Sequence, residues 1–166
     1  MCNYLHACGN RTENNTGRRI KRDKAMYTYR KIMVVDDSDV DRFIINRLVT
    51  ICSFAEEIVL VGSANEAVNY LVNIADPDEI PSLIFLDIRM PDVDGFDFLN
   101  IYAGLSDSIK KHSSIIMISS SCDDSDRRRV GINPFIHSFI DKPLSKSKLE
   151  MLAASRSAEG SAYSPS

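Results

Sequence analysis

The sequence predicts an α/β fold, with five parallel strands and helices on both faces of the sheet. Two observations carry that expectation. Apolar runs of four residues at 32–35, 83–86 and 115–118 have the unbroken character of strands buried on both faces, and segments of helical period separate them. Two of the runs also end directly in carboxylates, Asp36-Asp37 and Asp87. A buried parallel strand emerges there at the carboxyl edge of its sheet, the edge at which open α/β folds bind ligands.

The elements follow in order. Residues 32–35 form the first strand, and 41–52 a helix with Phe43, Ile44, Leu48 and Ile51 at helical spacing; Asp39 is the expected cap. Residues 58–61 form the second strand. Ser63 caps the next helix, with Glu66 three residues on as in a capping box and Ala67, Leu71 and Ile74 on its buried stripe. Residues 83–86 are the third strand, and 96–102 a helix stopped by Gly104. The fourth strand at 115–118, a short polar helix at 124–130, the fifth strand at 135–140 and a helix at 145–154 complete the alternation.

Composition excludes several classes. A chain of 166 residues, 44% apolar and 26% charged, is long enough to bury one proper core. Its apolar runs are too short to span a membrane, and the start lacks the apolar stretch of a secretory signal. Cys2, Cys8, Cys52 and Cys122 have no metal-site spacing and read as reduced thiols of a cytoplasmic protein. The charge is uneven: residues 1–31 hold eight Lys/Arg against Glu13 and Asp23. Residues 1–28 read as a basic, disordered extension and 156–166 as a disordered Ser/Ala-rich tail, leaving 29–155 as the folded domain. Arg127, Arg128 and Arg129 read as a solvated helix face or part of a partner surface.

Three carboxylates in one crevice are unstable unless a pKa rises or a cation binds. Oxygen-only ligands suit Mg²⁺ better than zinc. Taken singly, each residue has a plainer reading. Asp36-Asp37 is also a helix-cap pattern, Asp87 a turn residue, Ser119 a strand-end hydroxyl and Lys142 a solvated loop lysine.

Together these motifs resemble the receiver domain of two-component response regulators, over residues from about 29 to 155. Val-Asp-Asp at 35–37 resembles the acidic pair after its first strand. Asp87-Ile-Arg-Met-Pro-Asp-Val-Asp-Gly95 resembles the phosphoacceptor loop, Ile118-Ser119-Ser120 the hydroxyl-bearing end of the fourth strand, and Phe139-Ile-Asp-Lys142-Pro143 the end of the fifth. The resemblance implies a flavodoxin-like, doubly wound three-layer sandwich with strand order 2-1-3-4-5. It implies that Asp87 accepts a phosphoryl group from a histidine kinase or a histidine phosphotransfer protein. Mg²⁺ would be held by Asp37 and Asp87 directly, by Asp36 largely through water, and by the backbone carbonyl of Arg89. Lys142 would reach a phosphoryl oxygen, preceding a cis bond to Pro143. Ser119 would hydrogen-bond the phosphoryl and let Phe139 turn inward, changing the face that a downstream protein target reads. For Phe139, core filler stays open beside this switch role. The Arg89 side chain would pair with the phosphoryl or with Asp36 and slow hydrolysis, or else point into solvent; Ser121 would line the other side of the water path.

Two functions of other classes compete: a phosphorylation-independent pseudo-receiver scaffold, and a phosphatase with Asp87 as nucleophile. Arg89 stands where such a phosphatase needs its second acid, and retention of all three carboxylates with Ser119 and Lys142 argues against a scaffold. The chemistry expected is self-phosphorylation and self-dephosphorylation, not turnover as an enzyme. About twenty residues after Lys142 do not make a DNA-binding domain.

Overall fold

Successive residues of a strand point to opposite faces of a sheet, and in this protein both faces are apolar. The computed structural model describes residues 27–121 and 123–160, with side chains described as far as 156. The strands are β1 (Tyr29–Val35), β2 (Ala55–Val61), β3 (Leu83–Asp87), β4 (Ser114–Ser119) and β5 (Ile136–Asp141). The helices are α1 (Asp39–Ile51), α2 (Ala64–Val72), α3 (Gly95–Ala103), α4 (Asp107–His112), α5 (Asp124–Ile132) and α6 (Lys146–Gly160), with a 3-10 turn at Pro77–Glu79. All four strand pairs are parallel and the order is β2-β1-β3-β4-β5, as expected.

Alternation along the strands sorts the core into two layers. Ile32, Val34, Phe85, Ile116 and Ile118 face one side, where Ile45 and Val49 of α1 and Leu149 of α6 cover them. Met33, Val35, Ile84, Leu86 and Met117 face the other, against Ala67 and Leu71 of α2 and Phe98, Leu99 and Tyr102 of α3. Burying each such side chain is worth roughly 1.5–3 kcal/mol, so the two layers together drive the fold.

Several local expectations need correction. Ser38, not Asp39, caps α1, its hydroxyl accepting from the Asp41 N–H at 3.2 Å. The α1 stripe that carries the apolar period is mostly outside: Phe43 is 64% and Ile51 67% exposed, while Ile45 and Val49 are buried. Asp41, Ile45 and Val49 are spaced four apart and share a face, with Asp41 paired to Lys142 and Ile45 and Val49 in the core. In α2, Ser63 Oγ accepts from Glu66 N, and the Glu66 carboxylate accepts from the Gly62 N–H at 2.8 Å. The short helix α4, unexpected from sequence, buries only Ile109. Helix α6 runs on to Gly160, past the limit at 155; the expectations for residues 1–26 and 161–166 lie outside the described residues.

Gly95 starts α3 directly under the end of β3. Its N–H donates to the Ile88 carbonyl at 3.0 Å, and a Cβ there would meet the Asp87 carbonyl oxygen at 2.4 Å and Met117 Cε at 3.0 Å. The neighbour is backbone at the functional edge, so it cannot step aside freely. Gly131 in α5 is the opposite case, with nothing within 4 Å of an added Cβ. Gly95→Ala is therefore expected to lower unfolding free energy by about 1–3 kcal/mol. Gly131→Ala should leave it unchanged or raise it by up to about 1 kcal/mol. Urea denaturation of both variants checks the contrast.

Candidate functional site

Strand register brings the expected groups to one edge. Val35 pairs with Leu86, so Asp36 and Asp87 leave adjacent strands at the same level. Asp87 pairs with Ile118, and Ser119 with Asp141, which puts Ser119 and Lys142 on the other side of Asp87. The Lys142 N–H donates to the Ser119 carbonyl at 2.8 Å, and the Lys142-Pro143 peptide bond is cis, as the resemblance implied. The chain thereby turns back over the sheet edge at Lys142.

The charges are concentrated and mostly out of water. Asp36 and Asp87 are buried, Asp37 is exposed, and the Lys142 side chain is only 13% exposed. Lys142 Nζ lies 2.8 Å from Asp36 Oδ2, 2.8 Å from Asp41 Oδ2 and 3.3 Å from Asp87 Oδ1. Burial pulls the pKa of this ammonium down, but the carboxylates around it outweigh burial and hold it above the ordinary lysine value. Asp87 moves the other way. Burial raises its carboxyl from 3.8 to about 6; Lys142 opposes the rise, and Asp36 and Asp37 add to it. Asp87 is the strained member of the cluster.

The hydroxyl of Ser119 is fully buried and donates to the Ser121 backbone carbonyl at 2.8 Å. Phe139 is half-buried against the α2–α3 side of the core, with the Arg127 guanidinium 5.6 Å from its ring centroid. Ser121 itself is exposed. In the resting site the half-exposed Arg89 guanidinium is not on Asp36 but pairs with Asp126 Oδ2 of α5 at 2.5 Å. Asp41 and Asp126 are therefore the two site-adjacent acids that sequence reasoning missed. Asp41 had a readable signal, an acid in the first turn of the helix that follows Asp36-Asp37; Asp126 had none.

The oxygens suit a small hard cation. One carboxylate oxygen each from Asp36, Asp37 and Asp87 lie within 4.8 Å of one another. Buried Oδ2 of Asp36 accepts no hydrogen bond and meets Lys142 only as an ion pair. An all-oxygen set of this size matches Mg²⁺ coordination and not zinc. Among the described residues, no helix is long and apolar enough to cross a membrane.

Comparison with known proteins agrees with this geometry. Residues 32–154 match the family model of the response regulator receiver domain. The osmosensing histidine protein kinase SLN1 of Saccharomyces cerevisiae is 26% identical over 149 residues, which make up 90% of this chain and 12% of that protein. A probable transcriptional regulator of Porphyra purpurea is 31% identical over 122 residues, 72% of this chain and 44% of that protein. The chain thus spans less than half the length of either relative. The crystal structure of a two-component response regulator from Cytophaga hutchinsonii superposes with a TM-score of 0.71 at 26% identity, covering 77% of this chain and 96% of that one.

The raised carboxyl of Asp87 makes a stability prediction in metal-free buffer. An acid whose folded pKa lies above its ordinary value costs nothing below pH 4, and costs progressively more as pH rises from about 4 to about 6. Asp87→Asn should therefore be more stable than the wild type at pH 7.5, by on the order of 1–3 kcal/mol. The advantage should vanish near pH 4. Thermal unfolding in chelator across that range measures it.

Proposed function

The chain belongs to the response regulator receiver domain family, and on that premise we propose that Asp87 is the phosphoacceptor of a two-component phosphorelay. The observation that carries the reading is the placement of Asp87 between Asp36, Asp37 and Lys142 at the sheet edge, with Lys142 Nζ 3.3 Å from its carboxylate. The donor is a phosphohistidine, on a histidine kinase or a histidine phosphotransfer protein. An oxygen of the Asp87 carboxylate attacks phosphorus, a P–O bond forms, and the P–N bond breaks. The imidazole leaves with that bond's electron pair and takes up a proton. The product is an acyl phosphate, labile enough to hydrolyse and reset the site.

Asp37 and Asp87 would hold Mg²⁺ directly, with Asp36 through water and the backbone carbonyl of Arg89. Bound there, the ion supplies positive charge to offset the phosphoryl oxygens. Lys142 gives a second positive charge and orients the carboxylate from the side of β5. The Ser119 hydroxyl turns from the Ser121 carbonyl to a phosphoryl oxygen, and Phe139 follows into the space it leaves. A phosphodonor must seat a protein surface beside the mouth, and α1 presents one. Val40 and Phe43 are exposed there, and Ile44 lines a cavity with Asp41, Lys142 and Pro143. The protein does not turn over free substrates as an enzyme; it takes one phosphoryl, in the cytoplasm, and offers a changed face to a downstream protein.

Acetyl phosphate with Mg²⁺ tests the reading. The expected outcome is stable incorporation of one phosphoryl per chain in the wild type and none in Asp87→Asn, read by intact mass. Steady release of phosphate over many turnovers would indicate a phosphatase, and no reaction a scaffold. Mg²⁺ is a separate test. A tenfold excess over its dissociation constant should add about 1.4 kcal/mol of stability, raising the melting temperature by a few degrees. Asp37→Ala should remove that dependence.

A further inference from the structure

We propose that Arg89 is a phosphoryl-binding residue held in reserve by Asp126, and that phosphorylation of Asp87 draws its guanidinium off α5 and loosens that helix. The proposal rests on the phosphoacceptor reading of Asp87 and deepens it. It concerns a charge–charge contact, separate from the turn of Ser119 and Phe139.

Helix α5 is attached unlike its neighbours. Helices α1, α2, α3 and α6 each bury apolar side chains, among them Ile45, Leu71, Phe98 and Leu149. The one fully buried residue of α5 is an acid, Asp126. Val130, partly buried against the core, is its apolar contact, and several of the other contacts are cationic. Arg127 pairs with Asp141 at 3.7 Å and lies over Phe139, and Arg129 sits 3.6 Å over the ring of Phe96. Arg127 and Arg129 are exposed, so these contacts are weak and screened. The pair from Arg89 to Asp126, at 2.5 Å, also has a half-exposed guanidinium, but it is the one that reaches a buried carboxylate, the Asp126 side chain being 5% exposed. A buried carboxylate that loses its cation is strongly destabilised. The charge of Arg89 also reaches Asp123, the α5 cap, whose carboxyl is held below its ordinary value by the Asp126 N–H first, then by Ser125 and Arg89.

Arg89 comes from the loop that carries the phosphoacceptor. It stands two positions after Asp87, a span of at most about 7 Å, so the guanidinium can change partner without moving β3. The incoming group favours the exchange. A phosphoryl is close to a dianion with three acceptor oxygens, and a guanidinium binds it through two parallel hydrogen bonds. Lys142 is already divided among Asp36, Asp41 and Asp87 and does not satisfy that charge alone. Arg42 is engaged too, on the Asp36 carbonyl and the Asp39 carboxylate. The next cation along the phosphoacceptor loop is Arg89.

Amide hydrogen exchange over α5 tests the coupling, with phosphoryl occupancy read by intact mass on the same full-length samples. Wild type, Arg89→Ala and Asp126→Asn are compared with and without acetyl phosphate and Mg²⁺. In the phosphorylated wild type, exchange over α5 should rise by about tenfold or more. Both variants should exchange fast before phosphorylation and gain little from it. A merely structural ion pair would also speed exchange in the variants, but would leave the wild type indifferent to phosphorylation. Wild type at high occupancy with α5 exchange unchanged overturns the proposal, as does Arg89→Ala keeping the full phosphorylation-dependent rise. If no phosphoryl mass appears on the wild type, the assignment of Asp87 itself falls, and the mass reading tells that failure from the other.

Discussion

The ammonium of Lys142, shared by Asp36, Asp41 and Asp87, is the contact on which the functional edge depends. Without it two buried carboxylates would face each other in low dielectric, a cost of several kcal/mol that the apolar core would have to absorb. Its position follows from the backbone. The register of β3, β4 and β5 and the hydrogen bond from Lys142 N to the Ser119 carbonyl together bring this side chain to the sheet edge. Pairing with Asp41 ties the first turn of α1 to the same ammonium, on the face that also buries Ile45 and Val49.

That balance is incomplete by construction. Lys142 lies closer to Asp36 and Asp41 than to Asp87, and the Asp87 carboxyl rises to about 6. A group in that condition gains from anything that adds positive charge near it or removes its own charge. Binding a divalent cation does the first. Transfer of a phosphoryl converts the carboxylate to an ester-like acyl oxygen and moves the charge outward, towards donors that the resting structure keeps on other partners. The Ser119 hydroxyl on Ser121 and the Arg89 guanidinium on Asp126 are both such donors. On the proposed reading, those resting contacts would each be given up when the charge arrives.

The sheet and its edge were legible in the sequence because buried parallel strands leave unbroken apolar runs, and carboxylates that end them have few other reasons to be there. Asp36, Asp37 and Asp87 follow from that pattern, Ser119 and Lys142 from the family resemblance, and the structure brings them together. What escaped depends on helix rotation and long side chains. The period of Phe43, Ile44, Leu48 and Ile51 marks a stripe but not which way it faces; Ile45 and Val49 take the core instead. Arg89 was read as a group near the phosphoryl, yet its partner lies 37 residues on, in a polar helix with no periodic signal. Helix α4 is six residues long and buries one side chain, too little to stand out from the loop around it.

The same domain accounts for 90% of this chain but only 12% of a histidine kinase, and for 44% of a probable transcriptional regulator, so its site chemistry alone does not choose a partner. Specificity has to lie in surfaces that the fold leaves free to differ. Two such surfaces border the site. One is the exposed side of α1, apolar through Val40, Phe43 and Ile51. The other is the α5 face, cationic through Arg127, Arg128 and Arg129 and held down through Arg89. An apolar face contributes affinity whatever the phosphorylation state, since burying it does not depend on the charge at Asp87. A face held by ion pairs does not share that indifference. If the phosphoryl competes for Arg89, linkage requires that any partner preferring the loosened α5 also favours the phosphorylated form by the same factor. On that reading the two surfaces would divide the work physically, α1 meeting a donor before transfer and α5 reporting that transfer has occurred.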